Sequence, residues 1–469
     1  METKSAWEKY TASELKKVDE FAKGYMEFIS KSKTERECID AIVKIAENNG
    51  FTELSKLQKA GKKLKAGDKV YSVCMEKTIA LFIIGKNPMS EGMNILGAHI
   101  DSPRIDVKQN PLYEDNEIAY LDTHYYGGIK KYQWVTIPLA LHGVVVKKDG
   151  TTVLFDIGEE EDDPVFFVSD LLIHLAQEQM EKKASKVIEG EALDIIVGNK
   201  PLVIKKSSDK EEKGASKDPV KAAVLEILKR DYDVEEDDFL SAELEAVPAG
   251  PAREAGFDKS MILAYGQDDR SCAYPSLMAM LEVKNVERTA CCLLVDKEEI
   301  GSVGATGMRS RFFENTVAEI MELQGQLSDI AFRRCLSNSF MLSSDVSAAF
   351  DPMYASCFDK KNAAFLGHGM AFNKFTGSRG KSGSNDANAE FIAKIRKILD
   401  DDKVSFQTCE LGKVDIGGGG TIAYIMALYG MNVIDAGVAV LNMHSPWEAT
   451  SKADIYEAKK GYVSFLKKA

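Results

Sequence analysis

Four apolar runs in this chain break off at groups that water normally keeps. MNILGAHID ends at His99 and Asp101, TACCLLVDKEE at Asp296, Glu298 and Glu299, SFMLSSD at Asp345, and VAVLNMH at His444. Short, wholly apolar runs are the pattern of strands buried on both faces. A carboxylate at the end of such a strand is costly unless something cationic lies nearby. In open α/β sheets, functional residues gather at the carboxyl ends of strands. A fifth fragment, YGQDDRSCAYPS, puts Asp268, Asp269 and Arg270 at the start of a helical stretch.

The rest of the chain supports an α/β fold. Leu15, Val18, Phe21, Ala22 and Tyr25, then Ile39, Ile42, Val43 and Ala46, recur at helical spacing and predict two amphipathic helices. KVYSVCMEKTIALFIIG, from Lys69, predicts two antiparallel strands. Between 104 and 156 the pattern stays β-like, with Asp149–Gly150 as a hairpin signal. KKSSDKEEKGASKD, from Lys205 to Asp218, predicts a mobile loop, and FLSAELEAVP returns to strand character. After Gly256 strands and helices alternate, with VIDAGVAVLN expected as one strand. At 469 residues the chain exceeds one compact core. The expectation is a mixed-sheet α/β domain of residues 1–103 and 246–469, helices on both faces, interrupted by a β-rich insertion at 104–245.

Charge and cysteine use narrow the partners. Net charge is −13 with no basic run, which argues against nucleic acid. The charged N-terminus lacks the apolar core of a secretory signal, and no apolar run reaches the ~20 residues of a transmembrane helix. No membrane association is expected. Eight scattered cysteines without a CxxC pair suit a reducing cytoplasm and argue against a thiolate zinc site.

Each fragment has an ordinary explanation. His99 can be a satisfied strand-end histidine, Asp268 and Asp269 a helix cap, and Glu298–Glu299 an exposed loop. Together they offer the mixed imidazole and carboxylate ligands favoured by zinc, cobalt or manganese. A set drawn from distant segments is typical of two-metal hydrolases. Adjacent glutamates cannot point the same way, so one can ligate while the other activates a water.

In series, GAHIDSPR, QDDR, DKEEIGS, SSDVSAAFDP and NMHSPWE resemble the five signature blocks of the M18 metalloaminopeptidases. The resemblance runs from about His99 to the end of the chain. It implies two divalent ions, zinc before cobalt or manganese, with His99, Asp268, Glu299, Asp345 and His444 as ligands and Asp268 bridging. It implies Glu298 as general base and Asp101 as the group that orients His99. QDDR offers two aspartates, and the family pattern selects Asp268. His174, in DLLIHLAQ, falls where relatives have a histidine reaching a neighbouring subunit's site; a helix-face histidine at an interface is the other reading. Lys374 falls near a substrate-contacting lysine of relatives that prefer acidic residues, with Arg379 and Lys381 as competitors. The family also implies a dimerising insertion, dodecameric assembly and short peptide substrates with a free N-terminus. Its members differ on acidic against neutral N-terminal residues.

Two motifs are set aside. GSRGKSGS places Phe375 where a phosphate-binding loop needs its first glycine, and DIGGGGTIAYIMAL lacks a strong preceding strand. The competing functions are a two-metal carboxypeptidase or deacylase, which needs an arginine clamp, and a non-catalytic peptide-binding shell.

Overall fold

The computed structural model describes residues 4–202 and 217–469. Most of the charged segment from Lys205 to Asp218 lies outside the described residues. The chain packs as two units. One comprises 1–102, 252–443 and 447–469; the other comprises 103–251 with 444–446.

The larger unit is built on a nine-stranded mixed sheet. Its strand order is Thr52–Glu53, Lys69–Cys74, Thr78–Ile83, Thr289–Val295, Met93–His99, Phe340–Ser343, Asn432–Gly437, Met370–Asn373 and Phe406–Cys409. Met93–His99 lies between parallel neighbours, with Val295 opposite His99 on one side and Ser343 opposite Gly97 on the other. Both faces are covered, which is why these strands read as unbroken apolar runs. Ala290, Cys292 and Leu294 join a core with Leu277 and Met280 of the helix Gln267–Glu282. The alternate residues Cys291, Leu293 and Val295 join the other core with Phe313, Val317 and Ile320 of the helix Phe312–Leu323.

The two N-terminal helices form as their spacing predicts, Ala12–Lys31 and Glu35–Asn48. Each starts at a reciprocal cap, Thr11 with Glu14 and Thr34 with Glu37, which satisfies backbone donors that a first turn leaves open. Among the described residues, no helix is long and apolar enough to cross a membrane.

A five-stranded sheet completes this unit, in the order Arg253–Ala255, Met261–Ala264, Glu448–Ser451, Ala439–Leu441 and Ser347–Ala348. The expected single strand VIDAGVAVLN therefore divides. Its first half, Asn432–Gly437, belongs to the large sheet, and Ala439–Leu441 belongs to the small one. Periodicity cannot show a strand changing sheets when both halves are buried.

The smaller unit is a six-stranded antiparallel sheet, ordered Thr152–Ile157, Leu139–Val146, Ala242–Pro248, Arg104–Asp115, Ile118–Tyr126 and Ile195–Gly198. Leu139–Val146 pairs with Thr152–Ile157 around Asp149–Gly150. Val145, Phe155, Ile157 and Leu244 of the sheet pack with Val234 and Phe239. Residue 245, where the sequence reading places a boundary, falls inside the strand Ala242–Pro248.

One close backbone approach in the larger unit is testable. A Cβ on Gly437 would lie 1.9 Å from the Asp345 carbonyl oxygen and 3.0 Å from the Cys272 sulfur. Gly437→Ala should lower unfolding free energy by about 1–3 kcal/mol in denaturant titration, the usual cost of overpacking. An unchanged midpoint would contradict this packing.

Candidate metal centre

Three parallel strands of the large sheet deliver their carboxyl ends to one edge. His99 closes the middle strand. After Val295, the backbone turns through left-handed Lys297 (φ 68°) into a short helical turn, Glu298–Ile300, which Gly301 ends (φ 95°). Asp296 anchors this turn: it is buried, and its carboxylate meets Lys297 Nζ at 2.9 Å and accepts from Thr306. After Ser343, Ser344 donates its N–H to the Gly97 carbonyl, and Asp345 follows.

Asp101 ties the middle strand to the glutamate turn. Its two carboxylate oxygens each accept a backbone N–H at 3.1 Å, one from Glu298 and the other from Glu299. The same carboxylate lies 3.3 Å from His99 Nδ1, which is also 3.0 Å from the Asp101 carbonyl. The opposite ring nitrogen, Nε2, meets Asp268 Oδ1 at 3.1 Å.

Asp268 and Asp269 do not behave as a helix cap. Their backbone is non-helical (φ −82°, ψ 106° and φ −117°, ψ 23°), and the peptide between them is cis. Asp269 Oδ2 accepts the His99 backbone N–H at 3.3 Å. The Arg270 guanidinium donates to the Ile100 and Lys33 carbonyls and lies over the Tyr265 ring.

The electrostatics are those of crowded carboxylates. Burial disfavours a charged His99 ring, but hydrogen bonds to Asp101 and Asp268 outweigh it and hold its pKa well above the ordinary histidine value. Burial, then the Asp269 carboxylate, pushes Asp345 well above the usual range, and Glu298 and Asp268 add to the effect. Burial likewise pushes Asp269 up, with Asp268 adding to it against the pull of His99.

These groups fit a metal. His99, Asp268 and Asp345 each offer a ligand atom within 4.8 Å of the others, and so do His99, Glu298 and Glu299. A neutral imidazole has one N–H, yet both ring nitrogens face oxygen acceptors. Without a cation the ring satisfies both by taking a second proton; a cation at Nε2 would replace that proton, leaving Nδ1–H to donate to Asp101.

The structure brings His99, Asp101, Asp268, Glu298, Glu299 and Asp345 together within the larger unit. Of the other three expected residues, His444 belongs to the smaller unit, and His174 and Lys374 stand elsewhere. His444 does not end a strand; Ala439–Leu441 stops before it, and His444 packs with the smaller unit, its Nδ1 2.9 Å from the Gly128 carbonyl. His174 is exposed in the short turn Ile173–Leu175 of that unit, not on a regular helix. Lys374 follows Met370–Asn373, which runs antiparallel to Asn432–Gly437, so it leaves the sheet away from the His99 edge and meets Asp386 at 3.6 Å.

One contact was not foreseen. Glu448 Oε2 accepts the Asp268 backbone N–H at 3.1 Å. Nothing local to HSPWE links it to residue 268. The signal lies in strand pairing, which sets Ala264 opposite Glu448.

Comparison with known proteins places this geometry in a family. Residues 28–466 match the family described as aminopeptidase I zinc metalloprotease (M18). A probable M18 family aminopeptidase 1 of Clostridium acetobutylicum is 59% identical over 465 residues, covering 99% of this chain and 98% of the relative. The crystal structure of an M18 aminopeptidase from Thermotoga maritima superposes with a TM-score of 0.93 at 45% identity, covering 100% of both chains. A yeast mApe1 dodecamer shares the fold at 20% identity, with a TM-score of 0.74 over 95% of this chain and 96% of that one. The chain belongs to the M18 family of zinc aminopeptidases and is a metalloaminopeptidase that hydrolyses peptide bonds.

Proposed function

We propose that this enzyme uses two divalent ions, zinc first, to remove the N-terminal residue from short peptides. The observation that carries the reading is the cluster that His99, Asp268 and Asp345 form with Glu298 and Glu299. His99 and Asp345 would hold one side of the site, Glu299 and His444 the other, with Asp268 between. His444 enters on the family resemblance. When bound, the ion pair lowers the pKa of a shared water toward ~7 and polarises the scissile carbonyl.

The chain's own groups then move the proton. Glu298, adjacent to Glu299 on the same tight turn, takes it from the water and delivers it to the leaving amine. Asp101 keeps His99 in the Nδ1–H form and holds the glutamate turn through both backbone N–H groups. The free α-amine of the peptide would bind among the remaining carboxylate oxygens, which limits cleavage to the first residue. This arrangement favours an aminopeptidase over a carboxypeptidase, because Arg270 is occupied with backbone carbonyls.

Specificity has two readings. Lys374 would favour acidic N-terminal residues. Its ion pair with Asp386 supports the second, a neutral preference. Self-association is supported by the exposed apolar row Phe167, Leu171, Leu172, Ile173 and Leu175, in which His174 sits. We read this as the dimer face of a dodecamer, with His174 reaching a neighbouring subunit's site. Eight free cysteines support a cytoplasmic enzyme.

Glu298→Gln should cut kcat by about 10²–10⁴-fold while zinc content stays at the wild-type level. Turnover equal to wild type would contradict the mechanism. A panel of Asp, Glu, Leu and Ala chromogenic substrates with zinc, cobalt or manganese decides specificity. Acidic substrates should lead and N-acetylation should abolish cleavage; a Leu or Ala lead would favour the second reading.

A further inference from the structure

Asp268 is placed by its backbone. Its N–H donates to Glu448 Oε2 at 3.1 Å, and its carbonyl accepts from Ser102 Oγ at 2.7 Å. Both peptide groups flanking its Cα are thus held. With φ and ψ held in this way, the Cα–Cβ direction is set, and Oδ1 arrives 3.1 Å from His99 Nε2.

Glu448 is itself braced. It opens the strand Glu448–Ser451, which pairs with Met261–Ala264. Its carbonyl accepts from Gln267 Nε2 at 3.1 Å, and the same amide nitrogen donates to the Ile262 carbonyl at 2.6 Å. Gln267 Oε1 accepts from Tyr25 OH at 2.9 Å. Tyr25, Gln267 and Glu448 are all essentially buried. Asp268 lies in the first turn of the helix, where backbone N–H groups have no partner inside the helix and need another acceptor. A buried side-chain carboxylate supplies it from the strand paired with the one that leads into the helix.

We propose that Glu448 is a positioning residue for the metal site: it orients Asp268 through the Asp268 backbone N–H. This rests on the reading of Asp268 as a metal ligand. Partners one layer behind a ligand typically matter by 10–100-fold in affinity or activity. What Glu448 supplies is an acceptor at a fixed reach. Glu448→Gln keeps an oxygen at that reach; Glu448→Asp keeps the charge but withdraws the oxygen by one methylene.

The test uses the full chain loaded with cobalt, whose visible bands report ligand geometry, together with kcat, KM and the melting midpoint. Glu448→Gln should keep the wild-type bands. Glu448→Asp should shift the bands and lower kcat about 10–100-fold, with KM within about twofold. A merely structural role would lower the melting midpoint of Glu448→Asp and leave its bands in place, which overturns the proposal. Equal impairment of both variants overturns it too, because the acceptor would not be what matters. Asp268→Ala separates the two readings. If it loses cobalt while Glu448→Asp is unaltered, positioning alone fails. If it binds cobalt as wild type does, the ligand reading fails and takes the proposal with it.

Discussion

Six carboxylates crowd one buried imidazole, and carboxylates held together away from water cannot all stay ionised without a cation among them. The strain is visible in the protonation equilibria. Burial, then Asp269, pushes Asp345 above the carboxylate range; burial, with Asp268 adding to it, pushes Asp269 up; and hydrogen bonds to Asp101 and Asp268 raise His99. A divalent ion changes every one of these equilibria in the same direction. It lets the acids ionise and lets His99 become a neutral ligand. Such crowding is the pattern expected of a cation site.

The surrounding fold makes that crowding possible. Parallel strands packed on both faces end at one edge, and their register brings Val295 beside His99 and Ser343 beside Gly97. Turns beyond those ends then aim the acids inward. Asp101 joins two of the ends through backbone bonds, and Asp268 is set through its own peptide groups. Groups held by the main chain lose little freedom when a ligand binds, which favours preorganised chemistry.

Much of this was readable from sequence because burial leaves a strong signal. TACCLLV, MNILGAH and SFMLS are apolar on both faces, so their strand character and the polar residues that follow them were plain. What failed to show depends on tertiary pairing. QDDR reads as a helix start, yet Asp268 and Asp269 are non-helical, and the Asp268 backbone bonds to Glu448 and Ser102. VIDAGVAVLN reads as one strand because both of its sheets bury it. His444 reads as a strand end, but the strand stops at Leu441. Glu448 reads as an incidental acid, since only the pairing of Ala264 with Glu448 reveals its partner.

The central claim is that the cluster around His99 binds a pair of metal ions. Zinc content of the gel-filtered chain, measured by atomic emission for the wild type and for His99→Ala, tests it most directly. About two zinc ions are expected per wild-type chain and fewer than about one in the variant. A wild-type content below about one, or a variant that keeps about two, would contradict it.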